Sequence, residues 1–484
     1  MPLVIGIDSS TQSTKVEVRD VETGEVRAAG RHAHPATTPP RSEQDPQAWW
    51  DALVQAVRAA EADDVVAMAV AGQQHGMVAL DSDGHPIRPA KLWNDTESAA
   101  EAEALVDALG AVAWAEAAGS VPLAAFTISK VAWLKAHEPE NYARVSSVLL
   151  PHDWLTFMLT GRMTTDRGDA SGTGYWSPAE GRWRPDLLRQ IDAERDWSAA
   201  LPLVLAPFET AGVMQPAAAN ALGLGSGEVV VGPGTGDNMA AALGIGLRPG
   251  DVVISLGTSG TVYAVSDTPT ADATGAVAGF ADATGRYLPL VCTLNAMKVT
   301  DAVARLLAVD HRSFEDLVMA TPAGADGLVL VPYFDGERTP NRPEATGLLA
   351  GLRSGVTRGQ LARAAVEGVV CGLLDGLDAL GAAGVPTTGR LFLIGGGSRS
   401  GAFRRVVADL TGRNVHVPDA DEHVATGACL QAAAVWRTRE GRPTDGLLSE
   451  LTSNWKLGGG TVVEPDASVD RAAIRSSYRV ARDR

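Results

Sequence analysis

Apolar positions along the chain follow two rhythms. Unbroken short runs at residues 3–7, 65–71, 229–231 and 390–394 read as buried strands, each stopping at a glycine or hydroxyl-rich turn. Between them the period lengthens to that of amphipathic helices at 49–62, 97–118, 126–137, 153–159, 295–309, 312–320, 401–410 and 422–436. The helix at 126–137 offers Thr127 or Ser129 as its cap. Thr357-Arg358-Gly359-Gln360 spells a capping box for a long helix whose core face runs from Leu361 to Leu380, with Glu367 set among apolar neighbours. Strands alternating with helices predict an α/β architecture.

Two stretches break from simple alternation in the same way. Residues 3–20 read as strand, turn, returning strand. Asp8 closes the first strand, a turn of Ser9, Ser10, Thr11, Gln12, Ser13 and Thr14 follows, and Lys15 opens the return. Residues 252–265 repeat the plan around Gly257-Thr258-Ser259-Gly260. Such turns offer hydroxyls and backbone N–H groups to phosphate oxygens. Two matching hairpins, each opening about half the chain, predict two related domains facing one another across a cleft (1–243 and 244–440), with 441–484 as a peripheral tail. The polar Gly458-Gly459-Gly460 run reads there as a flexible linker.

The stretch at 229–243 adds chemistry. Its apolar run ends in Gly232-Pro233-Gly234-Thr235-Gly236, then Asp237 and Asn238, then a small-residue helix. One carboxylate and one amide thus stand at a helix N-terminus on a turn almost free of side chains. The helix terminus is expected to lower the carboxyl's pKa. Gln74 and His75 lie between Gly72 and Gly76 just past a strand end, where α/β sheets bind ligands. Trp93 offers an apolar wall. Gly395-Gly396-Gly397, between a strand and a helix, suits a flat group lying on bare backbone.

Composition narrows the field. Net charge is −17 over 484 residues, with acid spread along the chain, which argues against nucleic acid or an anionic membrane as partner. Cys292, Cys371 and Cys429 are far apart in apolar settings and read as buried free thiols. With no signal-like leader and no apolar run of transmembrane length, a cytoplasmic protein is expected. No Ser-His-Asp elbow, Walker A lysine or GxGxxG dinucleotide fingerprint is present. Two phosphate-type hairpins, a glycine shelf and two carboxylates suit phosphoryl transfer from a nucleotide, with Asp237 to deprotonate the acceptor and Asp8 to serve Mg²⁺.

These motifs resemble those of the FGGY carbohydrate kinases, within the actin/Hsp70/sugar-kinase superfamily. Residues 347–367 are similar to the C-terminal signature and residues 126–134 to the N-terminal one. Residues 72–78, 92–95 and 332–340 resemble the segments of members acting on D-xylulose. The resemblance implies two ribonuclease H-like (actin-like ATPase) domains around a central cleft, and ATP-dependent phosphorylation of D-xylulose. Another ketose or polyol (ribulose, fuculose, glycerol) is the alternative, and a non-catalytic ATP-gated binding protein a more distant one. It implies Asp237 as general base, Asn238, Gln74, His75 and Trp93 as sugar contacts, and Asp8 at Mg²⁺. Thr11, Ser13 and Lys15 would lie near the phosphates, Gly257, Thr258 and Ser259 would form the second phosphate loop, and Gly396, Gly397 and Ser400 would lie under the adenosine. A homodimer follows by analogy. One departure stands out: where the family usually places Arg two residues after Trp-Asn-Asp, this chain has Glu97.

Overall fold

The computed structural model describes residues 1–225, 227–420 and 422–484. Strands β1 (Leu3–Ser9), β2 (Ser13–Asp20) and β3 (Val26–Ala33) form an antiparallel meander. Helix α1 (Pro46–Ala59), capped by the Asp45 side chain, leads to β4 (Val65–Gly72), which pairs parallel to β1. Helix α2 (Pro151–Thr160) precedes β5 (Val230–Val231), parallel to β4, and helix α3 (Asp237–Gly244) ends this half. The meander and crossover then recur. Strands β6 (Val252–Leu256), β7 (Gly260–Ala264) and β8 (Tyr287–Thr293) are antiparallel neighbours. The long α4 (Arg358–Ala382) leads to β9 (Leu391–Ile394), parallel to β6; α5 (Gly401–Thr411) leads to β10 (Val415–Pro418), parallel to β9. The two sheets thus share one strand order, third-second-first-fourth-fifth, which is the ribonuclease H-like plan of actin-like ATPases. The expected capping box of α4 forms, with Thr357 and Gln360 exchanging side-chain and backbone hydrogen bonds.

Three apolar layers hold this together. α1 and α2 cover the outer face of the first sheet, where Trp49 meets Trp154 edge-on. The outer face of the second sheet is covered by α4 and α5. The third layer lies between the sheets and mixes residues of both, among them Ala69, Met239, Val253, Phe392 and Ala433. At its centre α3 crosses helix α6 (His423–Arg439). The crossing is close because glycines make it so: a Cβ on Gly427 would stand 1.9 Å from the Ala240 carbonyl oxygen, and one on Gly244 2.0 Å from that of His423. α6 also lies on β1, where a Cβ on Gly6 would stand 2.0 Å from the Ala425 carbonyl. A helix that belongs by sequence to the second half therefore packs under the first sheet. The shared layer forms the floor beneath the facing hairpin turns.

The stretch after residue 440 departs from the expected tail. Helix α7 (Arg471–Arg482) buries Tyr478 against the second core, and β11 (Gly460–Val463) pairs with β10 as an added edge strand. Trp455 is buried and donates to the Val21 carbonyl at 3.0 Å. The glycines at 458–460 lead directly into β11 and are no flexible linker. The segment looks polar because α7 is Arg-rich on its outer face. Arg482 and Arg475 reach back to Asp375 and Asp378 of α4, both at 2.6 Å. Among the described residues no helix is long and apolar enough to cross a membrane.

Candidate active site

Both hairpin turns open onto one cleft, and Asp237 stands where its two cavities meet. The larger, about 540 Å³, is lined by Asp8, Lys15, Asp237, Asn238, Gly396 and others. The smaller, about 220 Å³, is lined by Gln74, His75, Trp93, Gly257 and Ser259, and it shares Asp237, Asn238 and Ser255 with the first.

The wall of the smaller cavity is built by side chains that hold one another. Asp237 is the first residue of α3, and its Oδ1 accepts from the Asn238 backbone N–H at 2.7 Å and from Asn238 Nδ2 at 2.8 Å. Asn238 Nδ2 also donates to Gln74 Oε1 at 2.9 Å, while the buried Gln74 Nε2 has no hydrogen-bond partner among the described residues. The turn before Asp237 is tied to the Gln74 loop, since Thr235 and Gly236 pair with Ala71 and Gly72 of β4. Gly234 is required there. Its φ is +78°, and a Cβ would meet the His152 ring at 2.5 Å. His75 packs between Phe126 and Phe280 at centroid separations of 5.1 and 5.4 Å. Burial, with the nearby Arg338 and Lys130 charges, holds it well below the ordinary histidine pKa and therefore neutral. Thr127 is no helix cap: its hydroxyl donates to the His75 carbonyl at 3.1 Å, and Ser129 Oγ to that of Leu123 at 2.9 Å. Both hydroxyls are spent on tying loops, and Phe126 takes the cap position.

Burial overturns the expectation that Asp237 is a weak base. It pushes the carboxyl up to about 7, with the Asp8 and Asp169 charges adding to the rise and the Asn238 hydrogen bonds opposing it. The helix terminus does not compensate for desolvation at this depth.

Behind this wall lies a cluster that the sequence did not announce. His152, wholly buried, contacts Asp169 at 2.9 Å, Asp153 at 3.1 Å and Asp166 at 3.7 Å. These charges outweigh burial and raise its pKa to about 9, so it is a cation. Asp166 accepts from Thr235 Oγ1 at 2.7 Å and caps the short helix Arg167–Ala170. The cluster thereby joins the Gly232–Gly236 turn to the segment behind His75.

The larger cavity is walled by turns of bare backbone, a cross-strand pair and charged side chains such as Arg31, Arg404 and Glu422. Asp8 and Lys15 are opposite one another on β1 and β2, 3.6 Å apart, and Lys15 also binds Glu422 at 2.7 Å. Asp8 Oδ1 is buried with no partner among the described residues, and burial pushes this carboxyl up to about 6. Gly395 turns the chain with φ +84°, and Gly397 packs on Leu256. Turn geometry and packing therefore account for two of the three glycines. Gly395 and Gly396 are both exposed in the larger cavity, and Gly396 is the one of the three at which a Cβ would meet nothing within 4 Å among the described residues.

Other expected residues stand beside the cavities rather than in their walls. Thr11 Oγ1 donates to Gln73 Oε1 and accepts from Trp93 Nε1, both at 2.9 Å, so it braces the tryptophan. Ser13 is buried at the start of β2. Thr258 is exposed on its turn, where its carbonyl accepts from Ala296 N–H at 3.3 Å. Ser400 Oγ donates to Glu315 at 2.8 Å.

The N-terminal domain model of the FGGY family of carbohydrate kinases matches residues 3–244, and the C-terminal domain model matches 252–436. The chain belongs to that family. This FGGY kinase is 46% identical to a xylulose kinase of Streptomyces rubiginosus over 479 residues, covering 98% of this chain and 95% of that one. It is 47% identical to a xylulose kinase of Streptomyces coelicolor, covering 90% and 88%. The crystal structure of xylulose kinase from Bifidobacterium adolescentis superposes with a TM-score of 0.86 at 42% identity, covering 99% of both chains.

The Glu97 departure of this FGGY kinase has a local explanation. Lys91, fully buried, is ringed by Glu97 at 2.5 Å, Asp95 at 3.0 Å and Glu43 at 3.2 Å, and stands 3.8 Å from the Trp133 ring centroid. Glu97 completes a carboxylate cage around a lysine and fixes the turn that carries Trp93. The three carboxylates lie close enough together to hold a metal ion, but the lysine already supplies the cation. Neither the cage nor the His152 cluster announces itself in the sequence: Lys91, Asp95 and Glu97 share one short segment but are completed by the distant Glu43, and His152 and Asp153 of α2 are completed by Asp166 and Asp169 of a later segment.

Proposed function

We propose that this kinase transfers the γ-phosphoryl group of ATP to the 5-hydroxyl of D-xylulose, with Asp237 as general base. The observation that carries the reading is the place of Asp237, a half-buried residue whose carboxyl stands at the junction of a larger and a smaller cavity. The names of the relatives at 46–47% identity support the choice of sugar. The smaller cavity would hold the open-chain ketose against Trp93, with Gln74, His75 and Asn238 reading its hydroxyls.

The reaction then follows from the residues. Asp237 Oδ1 is held by Asn238, which leaves Oδ2 to accept the O5 proton. As that proton moves, O5 bonds to the γ-phosphorus and the bond to the β,γ-bridging oxygen breaks, releasing ADP. A carboxyl raised to about 7 is a better proton acceptor near neutral pH than an ordinary aspartate. Lys15 and the Gly257-Thr258-Ser259 turn would cradle the phosphates, and Gly396 would lie beneath the adenosine. Mg²⁺ fits Asp8, whose buried Oδ1 lacks any partner among the described residues. When bound, the ion would offset phosphate charge. Water is excluded by closure of the cleft over its floor. A homodimer belongs to the same reading and is tested by sedimentation.

The deciding experiment is coupled ADP release with Mg·ATP and a panel of D-xylulose, D-ribulose, L-ribulose, L-fuculose and glycerol. A kcat/KM for D-xylulose far above the others is expected. Preference for another member overturns the sugar but keeps the kinase. ATP turnover indifferent to every sugar overturns the reading.

A further inference from the structure

The charged loop at 335–340 brings one cation to the acceptor cavity, and no step above uses it. Arg338 lines the smaller cavity from the second half of the chain, opposite Gln74 and His75. It is half-buried, and among the described residues no carboxylate pairs with its guanidinium; its side-chain contact is with the Cys292 sulfur, which lines the same cavity. Its neighbour Glu337 does the reverse. That carboxylate is 2% exposed and accepts from the Leu294 N–H at 2.6 Å, the Arg338 N–H at 2.8 Å and Asn295 Nδ2 at 2.9 Å. The loop backbone is pinned by one residue so that the next presents its side chain from a fixed base. A guanidinium carries five N–H donors and a thiol is a weak acceptor, so strong donors remain for a ligand in the cavity.

The rest of the cavity shows what those donors would meet. Asp237 and Asn238 Oδ1 supply acceptors, suited to sugar hydroxyls. Phe280, Leu290 and Trp93 supply apolar surface, and His75 is neutral. A carboxylate ligand would suit a lone arginine, but the acceptor cavity also opens on Asp237, which disfavours a second anion. A ketose offers a better match. Its carbonyl oxygen accepts and cannot donate, and the planar guanidinium can bind it together with a neighbouring hydroxyl in a two-pronged contact. Resting on the ketose-kinase reading above, we propose that Arg338 is the specificity-determining contact for the acceptor: it donates to the C2 carbonyl oxygen of a 2-ketose and so favours ketoses over the corresponding sugar alcohols.

The test compares D-xylulose with xylitol and D-arabinitol, the pentitols formed by reducing its C2, in wild type, Arg338→Met and Arg338→Lys. Loss of one charge-assisted contact predicts a fall of about 100-fold in kcat/KM for D-xylulose with Arg338→Met. The ketose-to-pentitol ratio should fall at least about tenfold, while KM for ATP stays within about threefold. Arg338→Lys, which keeps the charge but not the fork, should fall between, and it carries the test should Arg338→Met fold poorly by thermal melting. An unchanged ketose-to-pentitol ratio, or a loss confined to KM for ATP, overturns the assignment of Arg338 alone. Absence of any sugar-stimulated turnover in wild type overturns the ketose-kinase reading itself, and this inference with it.

Discussion

On the acceptor side of the cleft, Asp237, Asn238 and Gln74 hold one another, and the His152 cluster holds the turns that carry them. Where the nucleotide is proposed to bind, the larger cavity presents an exposed glycine and charged side chains, Lys15 paired with Asp8 and Glu422, and Arg31, Arg399 and Arg404 in its wall. The difference follows from what each side has to do. A small sugar must be set to within a fraction of an ångström of an attacking geometry, so its wall is buried and over-determined. A nucleotide brings a flat base and many phosphate oxygens, which backbone N–H groups can meet with little help from side chains. The first wall should therefore be brittle to single substitutions and the second tolerant.

The strongest test removes the proposed base. Asp237→Ala should lower kcat by about 10²–10⁴-fold while ADP affinity, measured by calorimetry, stays within a few-fold. A variant retaining most of its kcat would show that another group takes the proton. The next test removes the support. His152→Gln leaves three buried aspartates around a neutral side chain, and breaking such a buried pair costs about 3–5 kcal/mol. Chemical denaturation should read that loss, and KM for sugar should rise while KM for ATP holds. A variant as stable as wild type would mean that the aspartates simply take up protons when the cation is gone.

The pH profile sharpens the same contrast. Asp237 must be ionised to accept a proton, and its pKa is raised to about 7, so kcat/KM should fall about tenfold per unit below that pH. Asp8, raised to about 6, adds a second proton, so the slope should approach two at lower pH. The linkage for stability runs the other way. Because the folded pKa of Asp237 exceeds the ordinary 3.8, the folded state gains stability as pH falls from about 7 towards 4. A flat profile from pH 8 to 5.5 would sink the base assignment.

Much of this was legible in the sequence where the signal is local. The hairpins at 3–20 and 252–265, the strand ending at Gly72 and the Asp237 turn each announce themselves within about twenty residues, and they fold as read. What was not legible depends on partners far apart in the chain. Asp237 reads as a capped, weak base until the burial around it is known, and α6 gives no sign that it packs under β1. The polar C-terminal stretch reads as a tail because its anchors, Tyr478 and Trp455, are single residues in a charged background.

Glu97 tests how far the brittleness extends from the base. If the carboxylate cage around Lys91 positions Trp93, Glu97→Arg sets two cations together and should cost about 1–3 kcal/mol in stability. A several-fold loss of kcat/KM for sugar should accompany it. A many-fold gain would show that the family's arginine is the better solution and that the cage is incidental.

The smallest effects should fall on the nucleotide wall, and they separate bare backbone from bystander side chains. Gly396 faces open space, so Gly396→Ala creates no clash within the protein. Any rise in KM for ATP must then come from the ligand meeting a methyl group, and a few-fold rise is expected, with KM for sugar unchanged. Ser400 is engaged with Glu315 rather than placed in the cavity wall. Ser400→Ala should therefore change KM for ATP by less than about twofold, within the spread expected of a surface substitution. If Ser400→Ala weakened ATP tenfold while Gly396→Ala did nothing, the nucleotide would be read by side chains, and the contrast between the two walls would fail where it predicts least.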